Sequence, residues 1–238
     1  VYFPIEYVMS MITDCLITIN DEDYKCAKKN LKVKNVAKVN GVGYNSDRYF
    51  PVSKEEKFSL REKLGYKKDE KLLIYVAEMN LNKNQAMLIR ALNEVLKTHK
   101  NVRLIIAGAD NFNGEYPRLA KELGIEANVD FLGHREDIDD LLHASDIAVG
   151  SSYREGLPVN VMEALACGLP VVLSDNRGHR VLGVNGENGY IININDYKME
   201  FDNDMGYIEK DWGCSFPRTY IWCQGNNFQK SNASFMLS

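Results

Sequence analysis

Two glutamates, Glu155 and Glu163, stand on either side of a stretch that reads as the start of a helix. A carboxylate accepts hydrogen bonds from hydroxyl groups, and the unpaired N–H groups of a helix start favour an anion. Glu163 is the less ordinary of the two. Its neighbours are Val161, Met162, Ala164 and Leu165, and no cation lies within a helical turn. A half-exposed helix glutamate is the plain reading, and a carboxylate aimed at a ligand's hydroxyls is the sharper one. A phosphate bed flanked by two carboxylates suits a ligand built of sugar, diphosphate and ribose.

The elements that must hold these residues are legible around them. Residues 147–149 and 170–173 are short apolar runs of the kind found in buried strands. Between them the spacing predicts a helix. Pro158 suits its first turn, and Gly168 followed by Pro170 stops it. Residues 151–156 form a polar loop at the carboxyl end of the first strand, where parallel α/β sheets bind ligands.

Glu155-Gly156-Leu157-Pro158 through Glu163-Ala164 and Gly168-Leu169-Pro170-Val171-Val172 resembles the Glu–seven residues–Glu signature of retaining glycosyltransferases of family 4, which have the GT-B fold. A bare pair of glutamates at this spacing carries no information; the pair embedded in this stretch does. The resemblance covers about residues 20–193 and is similar to bacterial capsule and exopolysaccharide enzymes. It implies a hexosyltransferase with a nucleotide diphosphate sugar as donor, UDP-linked, and a glycan or lipid-linked acceptor. It also implies a cytoplasmic enzyme that, when complete, works at the inner membrane face as a peripheral protein. Glu155, the catalytic candidate, would hold the sugar hydroxyls at the reacting centre, and Glu163 the ribose hydroxyls. Gly156, Leu157, Pro158, Val159 and Asn160 would form the diphosphate bed. Lys83 would meet the phosphates, and Arg135, with His134, would lie near the nucleobase. In the family an arginine just after the preceding strand often helps the lysine; here Glu78 stands near that place.

The expected cofactor complement is none, and the donor site is expected to work without a metal. Asp21/Asp23, Asp137/Asp139 and Asp202/Asp204 are Asp-x-Asp pairs, but magnesium needs carboxylates converging beside substrate phosphates. Each pair has a helix-start or tail explanation. A lysine at a helix start works against the helix dipole, so Lys83 is either a phosphate ligand or a solvated side chain. His179 reads as a surface-loop residue, with a place in the cleft lining as the alternative, and His99 and His143 read as helix-end residues without chemistry.

Composition narrows the classes. The chain has 238 residues, enough for one sizeable domain and a fragment, and a net charge of −4, unlike the basic face of a nucleic-acid binder. Five cysteines without Cys-x-x-Cys spacing suit a reducing compartment. The apolar start is broken by Pro4, Glu6 and Asp14, which fits neither a signal peptide nor a membrane span.

The predicted fold class is α/β: a doubly wound parallel sheet, Rossmann-like, one half of a GT-B fold. Residues 1–35 read as a remnant of an acceptor domain with its linker, with a helix over 1–13, a strand over 15–19 and a helix capped by Asn20. Residues 36–195 read as the donor-binding domain. Strands are expected over 36–40, 71–77, 102–107, 129–132 and 190–192, and helices over 55–64, 83–100, 115–123 and 135–144. The sheet is expected to begin at Val36. In the helix over 83–100, Met87, Leu88, Ala91, Leu92, Val95 and Leu96 form the expected core face. Gly41-Val42-Gly43-Tyr44-Asn45-Ser46 approaches a dinucleotide fingerprint but lacks the third glycine and a following helix, so a tight turn is expected. That failure counts against a nicotinamide-dependent dehydrogenase. Residues 196–238 carry no helical period and read as an atypical tail, frame-shifted rather than genuinely divergent. With so little of the acceptor domain, the chain alone is expected to bind donor without transferring sugar.

Overall fold

The computed structural model describes residues 3–194 and the backbone of two later strands, Ile221–Gly225 and Ala233–Leu237, which pair antiparallel. The expectation for the tail otherwise lies outside the described residues.

The chain opens with helix α1 (Phe3–Ser10), strand β1 (Cys15–Thr18), helix α2 (Asp21–Asn30) and strand β2 (Asn35–Lys38). Asn20 caps α2 by accepting from the Asp23 N–H, and Asp21, Glu22 and Asp23 occupy the first turn, where the dipole favours acids. β1 and β2 pair parallel as a separate two-stranded sheet. This corrects the expectation that the main sheet begins at Val36. β2 pairs with β1 instead, and the turns at Gly41 and Gly43, both at positive φ, carry the chain away.

The main sheet begins at Lys71. Helix α3 (Lys54–Leu64) precedes it, entered by a Ser53–Glu56 capping box and closed by Gly65 in the left-handed region. Then follow β3 (Lys71–Val76), α4 (Gln85–Thr98), β4 (Val102–Ala107), α5 (Glu115–Glu122), β5 (Val129–Gly133), α6 (Ile138–Ala144), β6 (Ile147–Gly150), α7 (Val159–Ala166), β7 (Val171–Ser174), α8 (His179–Leu182) and β8 (Gly189–Ile192). The strand order is β5-β4-β3-β6-β7-β8, all parallel. The expected α/β doubly wound sheet is therefore present as six strands. Gly108 faces the Ala77 carbonyl so closely that a Cβ there would lie 2.0 Å from the oxygen.

Alternate strand residues face opposite layers, as the two-residue period requires. Leu73, Tyr75, Leu104, Ile106 and Val149 pack with α4 and α5 on one face. Leu72, Ile74, Ile105, Val171 and Leu173 pack with α6 and α7 on the other. Both sets are equally apolar, so the strands read as continuous runs rather than as an alternation.

The core face of α4 differs from the expected one. Gln85, Met87, Ile89, Leu92, Val95 and Leu96 are buried, while Leu88 and Ala91 are only partly so. The helix starts at Gln85 rather than Lys83, and the Gln85 amide reaches inward to the Glu78 carbonyl at 2.9 Å.

Candidate donor site at the sheet switch point

From β3 the chain winds one way through β4 and β5, then returns to place β6 on the other side of β3. The crevice at such a reversal, at the carboxyl ends of the strands, is where open α/β sheets bind ligands. Its walls are the loops over 77–84 and 151–158.

These loops are tied together. The Ser151 hydroxyl donates to the Lys83 carbonyl at 2.7 Å, the Tyr153 N–H to the Asn82 carbonyl at 2.8 Å, and the Asn82 amide to the Arg154 carbonyl at 3.1 Å. Tyr75 and Ser152 share a buried hydroxyl contact of 2.7 Å beneath them. The Lys83 N–H is held by the Asn80 side chain at 2.9 Å. The result is that Lys83 Nζ lies 2.6 Å from Glu155 Oε1, with both side chains mostly buried. Two residues far apart in sequence thus meet across the crevice.

α7 begins immediately beyond. Pro158 sits at its cap position rather than inside its first turn, and no side chain caps the helix. The N–H groups of Val159, Asn160 and Val161 therefore have no intrahelical acceptor. The Asn160 side chain donates to the Val76 carbonyl at 2.8 Å, which anchors the helix start to the end of β3. Gly156 and Leu157 face the N-terminal segments. The Asn20 amide reaches the Gly156 carbonyl at 3.3 Å, and a Cβ at Gly41 would lie 2.3 Å from Leu157 Cδ2.

Glu163 is half-buried on α7. Burial raises its carboxyl above the ordinary 4.5, against the opposing pull of the Tyr49 hydroxyl and the Arg48 charge. Burial and the same carboxylate push the Tyr49 phenol up to about 12. These two partners come from the stretch between β2 and α3, and nothing in the sequence of α7 points to them.

Arg135 is held by its neighbour Asp137 through two hydrogen bonds, just past the carboxyl end of β5. Its ion pair is thus local, whereas Lys83 pairs across the crevice with Glu155. His179 is buried, not on a surface loop. Its Nδ1 lies 2.7 Å from the Ser174 carbonyl, and burial lowers its pKa. The loop carrying it also supports the site: the Asn176 amide and the Ser174 hydroxyl both donate to the Ser152 carbonyl. His99 stands at the C-terminal cap of α4 and His143 in the last turn of α6, the helix ends expected for them.

Among the Asp-x-Asp pairs, Asp21 meets Lys38, Asp23 Arg177, Asp137 Arg135 and Asp139 Arg48. Asp202 and Asp204 lie outside the described residues. Among the described residues, no group of three or more His, Cys, Asp or Glu gathers as a metal site, and no helix is long and apolar enough to cross a membrane.

Residues 56–213 match the family described as Glycosyl transferases group 1, and the chain belongs to that family. It is 44% identical over 196 residues to the putative glycosyltransferase EpsD of Bacillus subtilis, covering 82% of this chain and 51% of that protein. It is 27% identical to an Escherichia coli UDP-Gal:alpha-D-GlcNAc-diphosphoundecaprenol alpha-1,3-galactosyltransferase, again covering 82% and 51%. The crystal structure of Anabaena Alr3699/HepE in complex with UDP-glucose has the same fold, with a TM-score of 0.72 at 23% identity over 82% of this chain and 54% of that one. The chain spans about half the length of these relatives.

Proposed function

We propose that this chain is the donor-binding half of a retaining family 4 hexosyltransferase that uses a UDP-linked sugar. The observation that carries the reading is the Lys83–Glu155 contact across the switch-point crevice, beside the uncapped start of α7. A lysine and three free N–H groups beside one crevice suit a diphosphate. Glu155 borders it on the sugar side and Glu163 lies further along α7 for the ribose. Negative charge grows on the leaving diphosphate as the glycosidic bond breaks. Lys83 and the amides of Val159 and Asn160 would meet that charge, each well-placed donor lowering the barrier by about 3 kcal/mol. No metal is needed in this scheme. The UDP-glucose complex of the Anabaena neighbour and the named donor of the Escherichia coli relative support the choice of UDP. The acceptor would be a glycan or lipid-linked hydroxyl in polysaccharide synthesis, and the complete enzyme would be cytoplasmic, at the membrane face.

The test is calorimetric titration with UDP, GDP and ADP and their sugar conjugates. Tightest binding of a UDP sugar is expected. Glu155→Ala should leave UDP affinity unchanged and reduce the preference for the intact UDP sugar. Equal losses for both ligands would remove Glu155 from the sugar site.

A further inference from the structure

The loop bearing Glu155 is gripped from outside its own sheet. Arg177, in the loop after β7, donates from Nε to the Glu155 carbonyl at 3.2 Å. The same guanidinium pairs through Nη1 with Asp23 on α2. Asp23 is in turn held by the Asn20 amide at 2.8 Å, and that amide also reaches the Gly156 carbonyl. Beside Arg177, Gly178 lies so close that a Cβ there would stand 2.7 Å from Glu155 Cβ. The main chain at Glu155 and Gly156 is therefore held by the loop after β7 on one side and by the start of α2 on the other.

We infer that Asp23 and Arg177 are a positioning pair for donor-sugar recognition, through which the docking of α2 sets the place of the Glu155 carboxylate. The inference rests on the donor reading above. The pair is partly exposed, at 33% for the Asp23 side chain and 45% for that of Arg177, and ion pairs so exposed add little to stability. Its effect should fall on geometry instead, because a small misplacement of a positioned group costs far more in recognition than in folding. Neither residue is placed against the ligand.

The experiment is titration of the full chain, as wild type, Arg177→Ala, Asp23→Asn and the double variant, with UDP, GDP and ADP and their sugar conjugates, alongside thermal melts. The wild type is expected to prefer a nucleotide sugar to its free nucleotide. Arg177→Ala should cut that preference about tenfold with nucleotide affinity within about twofold and an unchanged melting temperature, and Asp23→Asn should act in the same direction. The double variant should be no worse than Arg177→Ala, since residues acting through one contact are not additive. An unchanged preference in both single variants, or fully additive losses, overturns the inference and leaves the donor reading standing. A wild type that binds nucleotide but prefers no sugar conjugate also overturns it. A wild type that binds none of the nucleotides overturns the donor reading, and the inference with it. Should Arg177→Ala fail to fold, Asp23→Asn alone decides.

Discussion

Glu163 is placed where its charge is unfavourable to the fold. Burial lifts its carboxyl above the ordinary 4.5, so folding favours the protonated form. The associated stability is fully present below about pH 4.5 and is lost as pH rises through the folded value. Glu163→Gln should therefore melt higher than wild type at pH 8, with the difference vanishing in acid. The same change should weaken nucleotide binding by ~1–3 kcal/mol, the scale of a charged hydrogen bond. Stability and affinity moving in opposite directions would mark a residue kept for binding; unchanged nucleotide affinity would remove it from the ribose site.

At the scale of elements, α3 is fastened to the sheet by a buried ion cluster. Asp146, just before β6, meets Lys57 at 2.7 Å and Arg61 at 2.6 Å, and accepts from the Leu72 N–H at 2.9 Å. Arg61 is itself buried and also donates to the carbonyls of Ala144 and Glu70. Burial opposes ionisation of Asp146, but Lys57, the Leu72 N–H and Arg61 outweigh it and hold the carboxyl below its ordinary 3.8. A lowered carboxyl contributes stability above that ordinary value, lost as pH falls through the folded one. Asp146→Asn should cost about 3–5 kcal/mol at pH 7, because it leaves buried cations unpaired. Urea unfolding should show the gap closing below about pH 4. A gap independent of pH would mean that the carboxylate's charge is not what holds α3.

For the whole molecule, the expected behaviour is donor binding without transfer. Orienting a second reactant is worth ~7–11 kcal/mol of effective concentration. In that reading the acceptor is oriented by a second domain, and among the described residues the β1–β2 sheet has two strands, too little to bury a core of its own. Supplying a nucleotide sugar with lipid-linked and glycan acceptors should give nucleotide binding and no acceptor-dependent nucleotide release. Turnover by this polypeptide would show that its own residues suffice to place an acceptor.

Local sequence determined the elements and the position of the glutamates. The Ser53–Glu56 box and Gly65 mark the two ends of α3 from adjacent residues, and the stretch around Glu155 and Glu163 carries its own strand–loop–helix punctuation. What only the tertiary structure decided is partnership. That β2 joins β1 rather than the main sheet is a matter of strand pairing, which no period encodes. That Tyr49 and Arg48 face Glu163, that His179 is buried under Ser174, and that Arg177 bridges Asp23 to Glu155 are matters of packing in three dimensions, most of them between segments distant in the chain. Side-chain periodicity reports which face of an element is apolar. It does not report which element will cover that face, because the covering element comes from another part of the chain.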